Sequence, residues 1–206
     1  ATAPSTYRTF YATGSSDANV AADSTATLTL QAVDDLEAEA MTQRAGVNNF
    51  KQISGKGYKY KFYVPITGFK NLKQQAQASG NLTFPQILLN QEAGGKNSTA
   101  LIGDSFVYSM TEIIAIPDHY MPAGVTGGVT QANTKRAIFV GAEACCLAFG
   151  KGYSKGSGDP VAGFNVLTDD DDIEETVETA ATGIFSFAKT IVDTYDQSVM
   201  TYSFYV

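Results

Sequence analysis

The feature that most constrains the fold of this chain is a nearly apolar stretch at residues 136–150. It is shorter than the roughly 20 apolar residues that a membrane-spanning helix needs. The β-branched and aromatic residues at 138–140 predict a strand buried on both faces, and a second apolar run follows at 145–149. Gly141 between the two runs lets the backbone bend or approach a neighbouring segment closely. We therefore expect a hairpin or a strand–turn–strand unit whose two faces are covered by other elements.

The charge and the cysteine content exclude several classes of protein. The 206-residue chain carries a net charge of −7, which argues against a general nucleic-acid binder, because contacts to phosphates need clustered Lys and Arg. Its only cysteines, Cys145 and Cys146, are adjacent, so a disulfide framework is excluded. We predict that both are small, buried and reduced residues, which fits synthesis inside a cell.

An amphipathic helix is predicted at residues 32–45. Apolar side chains recur there on one face at helical spacing, namely Val33, Leu36, Ala40 and Met41. Three acidic residues lie near its start: Asp34, Asp35 and Glu37. Because negative charge favours a helix N-terminus, we interpret them as a solvated helix start rather than as catalytic groups.

A strand and a second helix follow. Residues 58–64 alternate between apolar side chains and lysines, which predicts a half-buried strand that ends at Pro65. Thr67 then opens an amphipathic helix that we expect to end near Gly80. The apolar face of this helix is formed by Phe69, Leu72 and Ala76.

The remaining segments are predicted to be strands and loops. We expect strands at 7–11, 25–30, 182–192 and 198–206, the last two forming a closing antiparallel hairpin. We expect exposed or mobile loops at 14–23, 123–133 and 151–160.

The sequence contains no convincing active site. The single histidine, His119, is the only candidate for a histidine base, and no Gly-x-Ser-x-Gly motif accompanies it. We interpret it as a surface residue, and one histidine with two buried cysteines does not suit a zinc site. The glycine-rich residues 150–157 lack the order of a phosphate-binding loop, since Lys155 precedes Gly156. We therefore predict no catalytic, cofactor-binding or metal-binding residue.

An acidic run from Asp169 to Asp172 could collect a hard cation such as calcium. The alternating spacing of a calcium-binding loop is missing, so we interpret the run as a solvated acidic loop or helix start. The alternative, a bound ion that stabilises a contact between subunits, stays open.

The central stretch resembles a known family. Residues 136–144 read Arg-Ala-Ile-Phe-Val-Gly-Ala-Glu-Ala, and residues 147–150 read Leu-Ala-Phe-Gly. This order resembles the signature of tailed-bacteriophage major capsid proteins, which share the Hong Kong ninety-seven type fold. The strand that ends at Pro65 and the short helix after it also resemble a segment of the axial lobe in that family. The resemblance covers residues 32–206 and is most specific at 136–150.

The resemblance implies an α+β fold with an axial and a peripheral lobe, in which helices flank mixed and antiparallel sheets. It implies that residues 1–31 are an N-terminal strand and loop segment and that residues 32–135 form mainly the axial lobe. Residues 136–206 would form the central hairpin and the C-terminal strands of the peripheral lobe. Family members also carry an N-terminal arm, an extended loop and a spine helix, which residues 1–31 cannot supply. We therefore expect the chain to be a carboxy-terminal portion of a longer subunit.

The resemblance also implies a function. It implies a structural protein, not an enzyme, that needs no cofactor and self-assembles into the icosahedral head of a tailed bacteriophage around the DNA genome. The expected partners are other copies of the chain in pentamers and hexamers, with decoration, portal or scaffolding proteins as further candidates. Packaged DNA would be touched only non-specifically, and no membrane partner is expected. The expected location is the virion, assembled in the host cytoplasm.

Two alternatives stay open from the residues themselves. The Tyr, Thr and Gly content would suit a β-rich surface module that binds glycans or protein ligands. A hydrolase would need His119 as its base.

Overall fold

The computed structural model describes residues 8–42, 50–78, 105–149, 151–153, 160–162, 164–171, 176–183, 185–192 and 195–206. The chain divides into two compact units. The larger unit is formed by Ala1–Ala144 and Ile191–Val206, and the smaller one by Cys145–Thr190.

Three helices and sixteen strands are assigned within the described residues. The helices are α1 (Asp17–Ala22), α2 (Leu30–Thr42) and α3 (Ile66–Ala78). The strands are β1 (Thr9–Tyr11), β2 (Tyr60–Pro65), β3 (Ser105–Tyr108), β4 (Thr111–Ile116), β5 (Gly124–Thr126), β6 (Val129–Gln131), β7 (Thr134–Val140), β8 (Cys145–Phe149), β9 (Lys151–Tyr153), β10 (Pro160–Ala162), β11 (Phe164–Asp171), β12 (Thr176–Gly183), β13 (Phe185–Lys189), β14 (Ile191–Val192), β15 (Tyr195–Asp196) and β16 (Val199–Tyr205). None of the helices in these ranges is long and apolar enough to cross a membrane.

A six-stranded mixed sheet forms the centre of the larger unit. Its strand order is β1-β16-β7-β2-β4-β3. The β1–β16 and β2–β4 pairs are parallel, while the other three pairs are antiparallel. The strand predicted at 138–140 is thus confirmed as part of β7, which lies in the middle of the sheet. The predicted strands at 7–11 and 58–64 are also confirmed within the described residues, as β1 and β2.

The core of this unit is built around aromatic side chains from the central strands. Phe139 of β7 is fully buried. Its ring centroid lies 5.2 Å from that of Tyr60, 5.9 Å from that of Phe62 and 5.7 Å from that of Phe50. Tilted aromatic pairs at these distances contribute about 0.5–1.5 kcal/mol each beyond the area they bury. The alternating pattern of β2 therefore places the side chains of Tyr60 and Phe62 in the core, as predicted.

The two longer helices cover this core with the predicted faces. Val33, Leu36 and Ala40 of α2 are buried, and so are the predicted core residues of α3, which are Phe69, Leu72 and Ala76. Met41 was predicted to be buried as well, but it is 46% exposed, so that prediction is wrong. Met41 lies at the edge of the buried stripe, about 40° around the helix from the buried Glu37. The predicted end of the second helix, near Gly80, lies outside the described residues.

The N-terminal region differs from the prediction. Residues 14–23 were expected to be an exposed loop, but they contain α1, whose Asp17 and Val20 are buried. Ser16 caps this helix, since its hydroxyl accepts a hydrogen bond from the backbone N–H of Asn19 at 3.4 Å. The strand expected at 25–30 is also wrong, because Leu30 already begins α2. Residues 26–29 lie outside any helix or strand, although the carbonyl of Ala26 accepts a hydrogen bond from the N–H of Tyr205 in β16 at 2.8 Å.

Gly141 has the close-approach role that its position predicted. A Cβ atom at this residue would lie 2.2 Å from the carbonyl oxygen of Lys51. The two segments are joined by a hydrogen bond from the N–H of Ala142 to that same oxygen at 2.8 Å. The N–H of Lys51 in turn donates to the hydroxyl of Ser198 at 2.8 Å. The chain can pass over the end of β7 only because residue 141 has no side chain.

The burial predicted for the central stretch is only half correct. In β7, Ala137 and Phe139 are fully buried, whereas Ile138 and Val140 are half-buried, so the strand is not buried on both faces. In β8, both Cys145 and Cys146 are exposed, so the prediction of buried cysteines is wrong. The side chains of a strand project from the two faces of its sheet, so their burial requires a layer that packs on a face. Ala137 and Phe139 face the core cluster of the larger unit, whereas the described side chains of β8, at 145–148, are exposed.

The smaller unit consists of three antiparallel pairs among the described strands. These pairs are β8–β13, β9–β10 and β11–β12. The segment at 151–160, predicted as a surface loop, contributes β9 and the first residue of β10. The acidic run was predicted as a solvated loop or helix start, but Asp169, Asp170 and Asp171 lie in β11, so that interpretation is wrong for these three. Asp172 lies outside the described residues.

The predicted closing hairpin does not form. Residues 199–205 are confirmed as a strand, yet β16 pairs with β7 and β1. The segment predicted at 182–192 is divided among β12, β13 and β14, of which β13 pairs with β8. Alternating sequence marks these segments as strands, but it does not specify a partner that is distant in the chain. The assignment of residues 32–135 and 136–206 to axial and peripheral lobes stays a prediction.

Candidate assembly surface

His119, the single candidate for a histidine base, occupies a short 3-10 helix, Asp118–Tyr120, and is exposed. Its ring centroid lies 3.9 Å from that of Tyr120. Cys145 and Cys146 belong to the smaller unit. Across the described part of the chain, no group of three or more His, Cys, Asp or Glu side chains could hold a metal ion.

A buried ion pair connects the N-terminal helix to the central stretch. Arg136, the first residue of that stretch, donates to the carboxylate of Asp17, whose side chain is only 1% exposed. The same carboxylate accepts the backbone N–H of Val125 at 2.9 Å. Burial raises the pKa of the nearby Tyr11 hydroxyl, and the negative charge of Asp17 raises it further. Removing either member of a buried pair leaves an uncompensated charge, so the ion pair holds the Asp17 carboxylate in place. The hydrogen bond from Val125 to this carboxylate in turn fixes the position of β5.

The β5–β6 hairpin is held at its base by further polar contacts. The hydroxyl of Thr134, a fully buried residue, accepts the N–H of Gly124 at 3.0 Å and donates to the carbonyl of Gln131 at 2.9 Å. At the tip, Gly127 and Gly128 both have positive φ, as a two-residue hairpin turn requires. The segment predicted as a mobile loop at 123–133 is therefore an anchored hairpin. The sequence contains a signal for this hairpin, two adjacent glycines between two Val-Thr pairs, which the prediction of a mobile loop did not take into account.

A second buried carboxylate was missed by sequence reasoning. Glu37 is 3% exposed and accepts three hydrogen bonds from the turn between β3 and β4. The donors are the hydroxyl of Ser109 at 2.8 Å, the N–H of Met110 at 3.1 Å and the hydroxyl of Thr111 at 2.6 Å. The interpretation of Glu37 as part of a solvated helix start is thus wrong. The available signal was its spacing, because Glu37 falls four residues after Val33 on the apolar face.

Exposed apolar side chains lie beside one another on one strand pair of the smaller unit. In the smaller unit, Leu147, Phe185 and Phe187 are 54%, 62% and 68% exposed. Leu147 and Phe187 lie directly opposite each other in the β8–β13 pair. We call the two strands the stem, and these three residues the stem strip. Exposed apolar groups that adjoin in this way mark interaction sites more often than scattered ones do.

Exposed apolar side chains of the larger unit are spread over several elements. They are Met41, Ile66, Tyr120, Val125, Val129, Ile191 and Val206. Within this set, Val125 and Val129 share the anchored β5–β6 hairpin. The hairpin thus presents smaller apolar side chains than the stem strip does.

Comparison with known proteins identifies the fold. No protein-family model matches the sequence, and no curated protein sequence is significantly similar to it. Among solved structures, the capsid of Ralstonia phage GP4 matches with a TM-score of 0.69 at 19% sequence identity, over 98% of this chain and 53% of that chain. This chain therefore spans about half the length of the matching capsid chain. The α+β fold with mixed and antiparallel sheets, expected from the resemblance, is confirmed as a bacteriophage capsid fold.

Proposed function

We propose that this chain is a structural subunit of a bacteriophage capsid and not an enzyme. The observation that carries the proposal is the fold likeness to a phage capsid over nearly the whole chain. A fold can host several functions, so the role needs a direct test.

The proposed activity is self-assembly into an icosahedral head that encloses DNA. Copies of the chain would occupy pentameric and hexameric positions, in which chemically identical surfaces meet at slightly different angles. The net charge of −7 suits a container for DNA, since like charges limit adhesion of the cargo to the inner wall. The subunit would be part of the virion after assembly in the host cytoplasm. Decoration, portal and scaffolding proteins are candidate additional partners.

Assembly can be tested directly by expressing the complete gene product, alone and together with the products of neighbouring genes. Sedimentation should show a large, discrete species, and negative-stain electron microscopy should show uniform icosahedral particles. A matched sample of the His119→Ala variant should form the same particles, because an exposed histidine has no part in the proposed role. A chain that stays monomeric at every concentration and in every combination would contradict the proposal.

A further inference from the structure

We infer that the stem strip is an intersubunit contact, covered in the assembled shell by a second copy of this chain. The inference rests on the proposed function and assigns a particular surface to it. Leu147, Phe185 and Phe187 form this surface on two paired strands.

The stem has no core of its own among its described side chains. Every described side chain at 145–148 and at 185–188 is exposed. A two-stranded antiparallel ribbon is marginally stable by itself in water. The stem strip therefore gains stability only when another surface removes its aromatic and aliphatic side chains from water.

The charge of the stem indicates what kind of surface covers it. Its two strands carry one charged residue, Lys189, while the whole chain has 21 acidic residues against 14 Lys and Arg. Two copies of an acidic chain repel each other least where their surfaces carry no negative charge. A second copy fits this property, whereas packaged DNA would be drawn to clustered basic residues that the stem lacks.

The β5–β6 hairpin provides a matched control. Val129 is 63% exposed, close to the 68% of Phe187, and it also lies in a two-stranded pair. Unlike the stem, this hairpin is anchored to the sheet by the buried Asp17 carboxylate, so it needs no second copy to hold it.

The first test compares assembly of the Phe187→Ser and Leu147→Ser variants with that of Val129→Ser. We expect each stem variant to raise the chain concentration needed for half-maximal particle formation roughly tenfold or more, because each removes one large buried apolar side chain from the contact. We expect Val129→Ser to assemble like the wild type. Far-UV circular dichroism and thermal unfolding of the unassembled chains should remain unchanged, since none of the three residues lies in the core.

The second test identifies the covering surface. A p-benzoylphenylalanine placed at position 187 should, on irradiation of assembled particles, link to a peptide of this same chain. A mixture of isotope-labelled and unlabelled copies should give mixed-label products, which arise only from a contact between copies. Amide hydrogen exchange of residues 145–149 and 185–189 should slow on assembly, because burial protects a ribbon that opens readily when free.

The outcomes separate this inference from the proposed function. If the wild type forms particles and Phe187→Ser forms them equally well, the inference is overturned while the capsid role stands. Products linked only within one copy, or only to another protein or DNA, would also overturn it. If the wild type forms no particles under any condition, the capsid role itself fails.

Discussion

The β7 strand and the β8 strand follow each other closely in the chain, but they differ in what surrounds them. β7 has a partner on each side in the six-stranded sheet and contributes Phe139 to a fully buried aromatic cluster. Among the described strands, β8 pairs with β13 alone, and its Leu147 is more than half exposed. β8 contains no charged residue, whereas β7 contains Lys135 and Arg136, so composition does not explain why β8 is the more exposed strand. The difference arises from the core layer that packs on β7 and buries Phe139.

The largest expected difference between the two regions is in stability. Phe139→Ala should lower the free energy of unfolding by about 3–5 kcal/mol, because it leaves a cavity among tightly packed rings. Phe187→Ala should change it by no more than about 0.5 kcal/mol, since an exposed ring leaves no cavity. Urea unfolding of the unassembled chain measures both. Equal losses for the two variants would mean that the stem is part of the core.

A smaller loss is expected from the buried carboxylate that holds the β3–β4 turn. Glu37→Ala should cost about 3 kcal/mol, because it removes three charge-assisted hydrogen bonds and leaves their donors without a partner. Asp35→Ala on the exposed side of the same helix serves as the control and should cost no more than about 0.5 kcal/mol. Urea unfolding measures both variants, and a Glu37→Ala loss as small as that of the control would show that the turn does not depend on the carboxylate.

The close approach at the end of β7 should give a comparable or slightly smaller effect. Gly141→Ala should destabilise the chain by about 1–3 kcal/mol, since its Cβ would overlap the backbone carbonyl of Lys51. Gly57→Ala is the matched control, because nothing lies within 4 Å of a Cβ at that position. Thermal unfolding compares the two variants. If Gly141→Ala melts like Gly57→Ala, the two segments are farther apart than this structure shows.

The smallest effect concerns the alkaline limit of stability. Burial raises the pKa of the Tyr202 hydroxyl above its ordinary value of 10.0, and the charge of Asp35 raises it further. The folded state therefore holds this proton more tightly than the unfolded state does, so the contribution to stability is complete below about pH 10 and is lost as pH rises through the folded pKa. Tyr202→Phe should make the alkaline decline shallower, measured by urea unfolding at about pH 8 and about pH 11. If the variant loses as much stability between these two pH values as the wild type does, ionisation of Tyr202 does not contribute to the alkaline decline.

The periodicity of apolar residues correctly predicted the helices and strands whose conformation depends little on distant parts of the chain. The alternation that buries Tyr60 and Phe62 and the helical spacing of Leu36 and Leu72 led to correct strands, helices and core positions, because each pattern is set by backbone geometry alone. Glu37 fell on a predicted apolar face, yet its burial depended on donors more than 70 residues away in the chain. The exposure of Leu147 and Phe187 could not be predicted either, since composition does not reveal which face of a strand is covered by another layer.

By itself, the sequence determined that 136–150 contains buried strand, that two amphipathic helices cover a core, and that the order of elements resembles a phage capsid protein. These features depend on side-chain periodicity and on a signature that can be read along the chain. Only the tertiary structure decided that β16 joins β7 and β1, that β8 and β13 form an exposed stem, and that Asp17 meets Arg136. Those outcomes depend on contacts between residues that are distant in the chain. Such contacts contribute to the free energy of folding only after the intervening chain has been brought together.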